Sequence, residues 1–492
     1  MSAKRFYEIF PGFLTWSAIL FPLVLSSFAP KPVVIFILLF DLYWVYKSLI
    51  MGIHLITGYN KMKQQVKIDW SVKLKTLAKK SVNLDKIYHV IILPTYKETL
   101  ETLEPSIESI TSADNSAGKM IFILATEKRD QENARKIAKI LRKKYQKYFW
   151  KFIITEHPVI RGEVKAKGAN VTWAGRKLSL FLRSQHVSNE NVIVTTADAD
   201  TRFHKKFFDC LTYNFITNPN RHRRSFQPIP IYANNIWHAA VFARILAFGS
   251  SFWQIIESTR PWRLINFSTH SVSLKALEEM DYWDTGVVNE DSRQFWRAYY
   301  KFDGDHQVVP LFFPVFMDAV YAKSFKLTVK NQYLQRLRWA YGIEHSPYIW
   351  QNTFKKNKIP FWDKFVRLFR FMENNFSWAT ASIFIAILGW IPLVLNPGFG
   401  STVLAFNVRF YSSYLLSLAW IGLLVSAIIS MKLLPPRPQG MHKLKWLEMF
   451  AQWVFIPIVA ILFSSIPAID AQTRLMLGKY LGFRVTDKEV VR

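Results

Sequence analysis

The chain has 492 residues, of which half are hydrophobic and 16% are aromatic, and its formal net charge is +29. A strongly basic chain can bind nucleic acid, but this one has no basic-aromatic binding motif, and its long apolar spans require a membrane. The excess of Lys and Arg instead indicates juxtamembrane contacts with anionic lipid on the cytoplasmic side, plus a site for an anionic substrate. The single cysteine, Cys210, cannot form an intrachain disulfide, which fits a reducing compartment.

Two apolar stretches near the N-terminus, residues 12–29 and 33–51, are long enough to cross a bilayer, and they predict a transmembrane hairpin. A signal peptide is disfavoured, because the second span follows directly and no convincing cleavage site separates the two. Asp41 lies inside the second span, where a carboxylate is unfavourable in lipid, so it is expected to face protein or the interface. Residues 1–84 are assigned to this hairpin and a linker helix.

The middle of the chain alternates short apolar runs with amphipathic segments. Strands are predicted at 88–94, 120–125, 152–155 and 191–196, and helices at 131–148 and 170–184. This alternation predicts an α/β fold with a mostly parallel sheet and helices on both faces. Ligands of such sheets bind beyond the carboxyl ends of the strands. No G-x-G-x-x-G follows the first strand and no P-loop motif occurs, so neither of those nucleotide sites is supported.

Acidic residues follow the predicted strands. Asp198 and Asp200 form an Asp-Ala-Asp motif directly after the fourth strand, although an isolated acidic pair is also common in surface loops. Carboxylates at a strand end favour Mg²⁺ or Mn²⁺ bridging to a diphosphate, because both cations prefer hard oxygen ligands. Further candidate ligand groups come after the first and second strands: Thr95, Tyr96, Glu98 and Glu127.

Four other polar residues are candidates for the chemistry. Glu290 and Asp291 could remove a proton from a hydroxyl, or they could be favourable acids in the first turn of a helix. Lys167 starts a predicted helix, where it could contact phosphate or ribose or be an ordinary surface residue. His270 could lie near an acceptor or be a structural histidine.

The segment Gln335-Arg336-Leu337-Arg338-Trp339 lies on a predicted helix. Helical spacing places Gln335, Arg338 and Trp339 on one face. A guanidinium there could stabilise a leaving phosphate, and the indole could support a sugar ring. The alternative is an interfacial helix with a snorkelling Arg and a Trp in the aromatic belt, and both descriptions can hold together.

Three more apolar stretches, at about 376–396, 408–431 and 447–467, predict C-terminal membrane segments. The loop 432–445 contains four basic residues, which the positive-inside rule places in the cytoplasm together with the basic middle of the chain. Pro457 and Pro467 could break the last segment into a re-entrant element, which would keep the basic C-terminal tail inside as well.

The motifs P-T-Y-x-E, A-K-G-A-N, D-A-D, Q-P-I-P, N-E-D, Q-R-L-R-W and F-R-V-T-D-K occur in this order. Their order resembles membrane-bound family 2 glycosyltransferases, in particular the branch of cellulose, hyaluronan and chitin synthases, over roughly residues 85–345 plus the tail. The resemblance implies an inverting, metal-dependent transfer of a sugar from a nucleoside diphosphate sugar. It also implies a GT-A type nucleotide-diphospho-sugar transferase domain flanked by transmembrane and interfacial helices. The implied units are a catalytic domain at 85–330, interfacial helices at 331–375, membrane segments at 376–470 and a cytosolic tail at 471–492.

The resemblance also implies roles for individual residues. The nucleoside would be surrounded by Thr95, Tyr96, Glu98 and Glu127, and Lys167 would contact the diphosphate or ribose. The metal and the diphosphate would be held by Asp198 and Asp200, with Asp200 the more direct ligand, and the pyrophosphate would be bound by Gln335, Arg336 and Arg338. Asp291 would be the base with Glu290 as its supporting acid, Trp339 would stack on the acceptor sugar, and a gating loop would be formed by Phe483, Val485, Thr486 and Lys488. The chain departs from the family at Glu127, where Asp is usual, at Asn289, where Thr is usual, and in its smaller membrane part.

The expected function is a chain-extending transferase of the plasma membrane with a cytoplasmic catalytic domain, a UDP-sugar as the expected donor and a glycan acceptor. No nucleic-acid partner is expected, and partner subunits are left open. A single-addition transferase acting on a polyprenyl-phosphate or another lipid is the main alternative. A non-enzymatic membrane transporter or scaffold is the third hypothesis, which the intact acidic motifs disfavour.

Overall fold

A computed structural model describes residues 2–79, 83–115 and 118–482. The strands are β1 (Tyr88–Pro94), β2 (Lys119–Glu127), β3 (Lys151–His157), β4 (Val192–Thr196), β5 (Arg202–Phe203), β6 (Arg224–Tyr232), β7 (His270–Ser273) and β8 (Gln307–Met317). The α-helices are α1 (Ala3–Phe28), α2 (Pro30–Lys67), α3 (Trp70–Ala78), α4 (Leu100–Thr111), α5 (Gln131–Tyr145), α6 (Lys167–Ser184), α7 (Phe207–Thr217), α8 (Val241–Ser258), α9 (Leu274–Glu279), α10 (Glu290–Lys301), α11 (Phe325–Ala340), α12 (Ser346–Lys355), α13 (Phe361–Ala386), α14 (Ile391–Leu395), α15 (Pro397–Gly400), α16 (Val403–Leu433), α17 (Lys445–Ala451), α18 (Ile456–Ala460) and α19 (Ile466–Met476).

The strands form one mixed sheet in the order β3-β2-β1-β4-β7-β6-β8-β5. Within the described residues, β1, β2, β3, β4, β6 and β8 run in one direction, and β7 and β5 run against their neighbours. The predicted α/β class with a mostly parallel sheet is confirmed. The first four strands were predicted within a few residues of their ends, whereas β5 to β8 carried too little periodic signal to be assigned.

Alternate side chains of the central strands point to opposite faces of the sheet. Ile91 and Phe122 belong to one buried cluster, which also holds residues of α4, α5 and α7. Ile92 and Ile121 belong to the other, which holds residues of α6 and α9. Helices therefore cover both faces, as predicted, and the central strands read as continuous apolar runs because both of their faces are buried.

The register of the sheet places the strand ends that carry the candidate polar residues on the same side of the sheet. β1 pairs with β2 and with β4 in parallel, and the ends of β6 and β8 lie side by side with Tyr232 opposite Met317. β7 runs antiparallel to β4 with His270 opposite Thr196, so the loop just before β7 meets the residues just after β4. That meeting point is the candidate active site.

Four helical segments are long and apolar enough to cross a membrane: Ala3–Phe28, Pro30–Lys67, Val403–Leu433 and Lys445–Met476. A fifth is the pair Phe361–Ala386 and Leu388–Leu395, which is bent by 46°. These segments match the five predicted apolar stretches, of which 12–29 and 376–396 end one residue beyond the helices. Asp41 accepts a 2.9 Å hydrogen bond from the Ser412 hydroxyl, so it faces protein as expected.

The last of these apolar segments, Lys445–Met476, is irregular. It passes from α17 through a 3-10 turn to α18, and then through a π-helical turn at Ile461–Ser465 to α19. Pro457 and Pro467 each lie in the first turn of a helix, where proline is tolerated. α19 continues to Met476, five residues past the predicted start of the tail at 471, and Gln472 and Thr473 are hydrogen-bonded to side chains of α1.

Candidate active site

Lys167 links two acidic motifs that are far apart in the sequence. It is the first residue of α6, and its Nζ lies 2.6 Å from Asp198 Oδ1 and 3.8 Å from Glu290 Oε1. Burial by itself would lower the pKa of Lys167, but the charges of Asp198 and Glu290 outweigh burial and raise it. A permanently charged ammonium therefore lies between the carboxylates.

The approach of α6 to α10 depends on Gly168. A methyl group at this position would lie 2.5 Å from the Asp284 carbonyl oxygen and 2.9 Å from Glu290 Cβ. Both distances are far below van der Waals contact, so a glycine is required for Lys167 to reach Asp198 and Glu290 together.

Ser268 joins the Asp-Ala-Asp motif to the second acidic pair. Its hydroxyl donates to Asp198 Oδ2 at 2.7 Å, and its backbone N–H donates to Asp291 Oδ2 at 2.6 Å. Ser268 has a positive φ of 48°, an uncommon conformation for a residue with a Cβ. The Gln227 amide supports this loop, since it accepts from the Phe267 N–H and donates to the Phe267 and Thr269 carbonyl oxygens.

The ionisation of Asp198 is controlled by these contacts. Burial opposes the charged form, but the charge of Lys167, the hydrogen bonds from Lys167 and Ser268, and the charge of Arg338 hold the pKa of Asp198 well below its usual range. The side chain still keeps 35% of its exposure, so the carboxylate is charged and reachable.

Glu290 and Asp291 are the first two residues of α10, where acids are stabilised by the helix dipole. Asp291 Oδ1 accepts from the Ser292 N–H at 2.7 Å, which with the Ser268 N–H gives one backbone donor for each carboxylate oxygen. Burial raises the pKa of Glu290 to about 7, although the charge of Lys167 acts in the opposite direction. Glu344 supports the start of α10 by accepting from the N–H groups of Val288 and Asn289.

Asp200 lies beside the ends of β6 and β8. Its Oδ2 accepts a 3.3 Å hydrogen bond from the Asp318 N–H, and its carbonyl oxygen accepts from the Asn234 side chain. Asp200 also faces Glu98, since its charge adds to burial in raising the pKa of Glu98 to about 7. Asp198, Asp200 and Asp291 all act electrostatically on the buried Tyr232 hydroxyl, whose pKa is raised well above its usual value first by burial and then by these charges. All three aspartates therefore lie near enough to Tyr232 to act on its hydroxyl.

The residues predicted to hold the nucleoside form a hydrogen-bonded turn after β1. Glu98 accepts from the Thr95 hydroxyl at 2.9 Å and from the Tyr96 N–H. Glu127 is paired with Arg129, whose guanidinium lies 4.3 Å from the centre of the Tyr96 ring. Glu127 and Arg129 also line a second cleft, of about 290 Å³, at the ends of β2 and β3.

The Q-R-L-R-W segment is the C-terminal part of α11. Gln335 and Trp339 line one cleft together, and Arg338 acts electrostatically on Asp198. Arg336 points elsewhere. Its guanidinium donates to the Phe463 carbonyl oxygen at 3.1 Å and to the hydroxyls of Ser250 and Ser464.

These contacts join Arg336 to α8 and to the π-helical turn at Ile461–Ser465, and its ring neighbours are Trp339 and Trp378. Each of these neighbours is uncharged. Its predicted role as a pyrophosphate ligand therefore gains no support from its contacts, whereas Arg338 acts electrostatically on Asp198.

His270 is a buried residue of β7. Its Nδ1 lies 3.1 Å from the Ser268 carbonyl oxygen, and its Nε2 lies 3.4 Å from Trp283 Nε1. Burial, together with the nearby charge of Lys167, lowers the pKa of His270 to about 4, which favours the neutral ring. With both nitrogens engaged, its contacts fit the structural alternative and give the predicted acceptor role no support. The predicted gating residues Phe483, Val485, Thr486 and Lys488 lie outside the described residues.

Sequence reasoning missed several residues that build this site: Ser268, Gln227, Glu344, Asn234 and Asp318. Ser268 and Gln227 belong to motifs that were noticed, S-T-H-S and Q-P-I-P, but the pattern drew attention to His270 in the first and to the motif order in the second. Asp318 had no motif around it, and only the position at the end of β8 could have indicated it.

The donor set bears on the predicted metal. No group of three or more His, Cys, Asp or Glu side chains that could hold a metal ion occurs among the described residues. Both Asp198 oxygens already accept hydrogen bonds from Lys167 and Ser268, which leaves Asp200 as the more available carboxylate for a metal; the predicted ligand roles stay a prediction. A hard cation that takes its remaining oxygen ligands from a diphosphate and water fits such a sparse carboxylate site.

No protein-family model matches the chain, and no curated protein matches it significantly. Among solved structures the chain is similar to a mannosyltransferase from Pyrobaculum calidifontis in complex with GDP-Man and Mn²⁺, at 13% identity over 90% of this chain and 100% of that one, with a TM-score of 0.42. It is also similar to the fragment 1–349 of TarS from S. aureus in complex with UDP-GlcNAc, at 10% identity over 82% of this chain and 95% of that one, with a TM-score of 0.38. Likeness at this level shows no shared activity, substrate or metal.

Proposed function

We propose that the chain is an inverting, metal-dependent glycosyltransferase of the family 2 type, which moves a sugar from a nucleoside diphosphate sugar to a hydroxyl group of a glycan at a membrane. One observation carries the proposal. Ser268 donates two hydrogen bonds, from its hydroxyl to Asp198 at 2.7 Å and from its backbone N–H to Asp291 at 2.6 Å. The carboxylate proposed to lie beside the diphosphate and the candidate base therefore belong to one site. A transferase needs both functions within the length of one sugar ring.

Asp291 is proposed as the general base. The two backbone N–H groups that it accepts from, those of Ser268 and Ser292, fix the orientation of its carboxylate. In the transfer, the acceptor hydroxyl gives its proton to Asp291 while its oxygen forms a bond to the anomeric carbon. The bond from that carbon to the diphosphate breaks, and the nucleoside diphosphate leaves from the opposite face, which inverts the configuration.

The leaving diphosphate develops negative charge, and the site offers positive charge to balance it. Lys167 and Arg338 both act on Asp198, so a diphosphate bound beside Asp198 lies within reach of their charges. A Mg²⁺ or Mn²⁺ ion held by Asp200, with Asp198 beside it, would supply further charge neutralisation at the diphosphate. Thr95, Tyr96, Glu98 and Glu127, at the ends of β1 and β2, are proposed to surround the nucleoside.

The apolar helices and the distribution of basic residues support a proposed location and orientation for the chain. The basic loop 432–445 and the catalytic domain are proposed to face the cytoplasm, with the apolar helices in the plasma membrane. The proposed product is a cell-surface or extracellular polysaccharide. Single addition of a sugar to a polyprenyl-phosphate would use the same donor chemistry. The length of the product distinguishes this alternative from polysaccharide synthesis.

The purified full chain, incubated with UDP- and GDP-sugars and MnCl2, tests the proposal by release of free nucleoside diphosphate. We expect release with one class of sugar nucleotide, its loss on chelation with EDTA, and products of more than one added sugar. Failure of every donor to release nucleotide diphosphate in the presence of Mn²⁺ and a mixed glycan acceptor pool contradicts the proposal. Products that stop after one sugar on a lipid phosphate would instead support the single-addition alternative.

A further inference from the structure

Basic residues from three elements meet where α13 lies against α2 and the loop that follows α8. We call this group the interfacial basic cluster, and its members are Lys47, Arg260, Arg263, Arg367 and Arg370. Glu257 in the last turn of α8 shows that they are neighbours: burial raises its pKa, and the charges of all members except Arg367 act against that rise. Arg367 donates to the Trp262 carbonyl oxygen at 3.4 Å, which joins α13 to the loop.

The cluster carries more positive charge than its partners neutralise. Three carboxylates pair with four of the cations, namely Glu373 with Lys47, Asp363 with Arg367, and Glu257 with both Arg260 and Arg263. Arg370 is half-buried and forms no hydrogen bond and no ion pair with any described residue. Its guanidinium instead lies within electrostatic range of Arg263 and Arg367, which repel it. Five cations therefore face three carboxylates in this part of the chain.

The guanidinium groups also keep unused donors. Arg260 has only 8% of its surface exposed, and its buried Nε has no hydrogen-bond partner within the described part of the chain. A buried donor without a partner is unfavourable, and an unpaired guanidinium in a partly buried place is more so. A phosphate oxyanion satisfies both demands, because it supplies negative charge and accepts hydrogen bonds from guanidinium groups in a forked geometry.

An exposed aromatic face lies next to this charge. The first half of α13 presents Phe361, Trp362, Phe365 and Phe369, whose spacing of one, four and eight residues places them on one side of the helix. Trp362 is 71% exposed, and Trp262, directly before Arg263, is 53% exposed. Large exposed aromatic side chains beside Lys and Arg are typical of helices that lie in the headgroup region of a bilayer.

The cluster also adjoins two of the segments that are apolar enough to cross a membrane. Lys47 belongs to Pro30–Lys67, and Glu373, its partner at 2.7 Å, belongs to Phe361–Ala386. The Lys47 ammonium lies 4.6 Å from the centre of the Trp44 ring. A lipid whose acyl chains lie along these helices would bring its headgroup to the height of the cluster.

We propose that the interfacial basic cluster binds the phosphate group of an anionic phospholipid, with Arg260, Arg263 and Arg370 as its ligands and the aromatic face of α13 against its acyl chains. A free phosphate ion would satisfy the charges but would leave the aromatic face uncovered. The inference goes beyond the proposed function and does not depend on it, because it concerns a lipid that holds the apolar helices against the catalytic domain.

Thermal unfolding of the purified full chain in a neutral detergent, followed by tryptophan fluorescence, tests the inference. Phosphatidylglycerol or phosphatidylcholine with the same acyl chains is added in equal steps. We expect phosphatidylglycerol to raise the melting temperature by about 2 °C or more beyond the effect of phosphatidylcholine, because a ligand that binds only the folded chain stabilises it. Inorganic phosphate at the same concentration should give less than half of that rise.

Arg370→Gln is the decisive variant, because Arg370 has no hydrogen bond to lose. It should lose about half or more of the rise caused by phosphatidylglycerol. In phosphatidylcholine alone it should be at least as stable as the unaltered chain, since it relieves repulsion from Arg263 and Arg367. Arg370→Lys keeps the charge and should keep most of the rise. Arg183→Gln makes the same change at a side chain of α6 that is 70% exposed, and it must respond like the unaltered chain.

Three outcomes overturn the inference. The first is an equal rise with both phospholipids, and the second is a rise in Arg370→Gln as large as in the unaltered chain. The third is a melting temperature of Arg370→Gln below that of the unaltered chain in phosphatidylcholine alone, which would mean that the chain itself already neutralises Arg370. A rise with inorganic phosphate as large as with phosphatidylglycerol would show an anion site that does not recognise lipid, and it contradicts the inference as well.

Discussion

The two arginines of the Q-R-L-R-W segment have different surroundings. Arg338 lies on the side of the strand-end carboxylates, where Asp198 is held charged by Lys167 and Ser268. Arg336, two residues earlier, donates to a carbonyl and two hydroxyls of α8 and of the apolar segment Lys445–Met476. The two arginines of one short motif therefore have different partners: Arg338 acts on Asp198, and Arg336 joins α11 to two other helical segments.

The largest expected effect is on the carboxylate side. Asp291→Asn removes the proposed base but keeps the shape that accepts from the N–H groups of Ser268 and Ser292. We expect sugar transfer to fall by about 10²- to 10⁴-fold, while affinity for the nucleoside diphosphate, measured by calorimetry with Mn²⁺, changes little. The exposed Asp303→Asn variant is the control. Full transfer by Asp291→Asn would refute the base assignment.

The paired variants Arg338→Gln and Arg336→Gln compare the two sides directly, and each is the control for the other. Arg338→Gln should weaken nucleoside diphosphate binding by about tenfold or more, since a hydrogen bond to a charged group contributes about 1.5–3 kcal/mol. Arg336→Gln should leave that affinity within about twofold and lower the thermal stability, because it removes donors to Phe463 and Ser464. Equal loss of nucleoside diphosphate affinity in both variants would contradict the proposal that only Arg338 acts at the donor site.

Gly168→Ala tests the close approach that brings Lys167 to Asp198 and Glu290. The added methyl group would meet the Asp284 carbonyl oxygen at 2.5 Å, so we expect a loss of about 1–3 kcal/mol in unfolding free energy and a parallel loss of donor affinity. Gly249→Ala, which meets nothing within 4 Å in α8, should be neutral or slightly stabilising. An unchanged melting temperature and donor affinity in Gly168→Ala would show that α6 and α10 can move apart without loss, and would contradict the need for glycine at this position.

The smallest expected effect is a pH dependence at the start of α10. Burial raises the pKa of Glu344 to about 7 from 4.5, so the folded chain keeps a proton that the unfolded chain has already lost. The stability contributed by this group is greatest below about pH 4.5 and falls as the pH rises through about 7. Glu344→Gln keeps an acceptor for the N–H groups of Val288 and Asn289 and removes the titration.

We therefore expect the fall in unfolding free energy between pH 5 and 8 to be smaller in Glu344→Gln by about 1–3 kcal/mol, at about 1.4 kcal/mol for each unit of pKa shift. Thermal unfolding in detergent across this range measures it. Glu108→Gln makes the same chemical change at an exposed position and serves as the control. If Glu344→Gln leaves the slope of the unfolding free energy against pH unchanged, the pKa of Glu344 is not raised in the folded chain and the prediction fails.

Local patterns predicted part of the site well. The starts of α6 at Lys167 and α10 at Glu290 follow from the residues around them, and β1 has the predicted ends. Arg336 could not be distinguished from Arg338 in this way, because two guanidiniums in one motif have the same intrinsic chemistry and differ only in their neighbours. His270 was singled out for its residue type, and its burial in β7 was invisible in the sequence.

The sequence by itself determined the apolar spans, the α/β alternation and the acidic residues at strand ends, since each depends on side chains that are close along the chain. Only the tertiary structure decided that Ser268 joins Asp198 to Asp291 and that Asp318 lines the cleft beside Trp339. The physical reason is the antiparallel insertion of β7 between β4 and β6, which brings a distant loop to the edge of the sheet. Such pairing depends on contacts between segments some 70 residues apart, which no local pattern records.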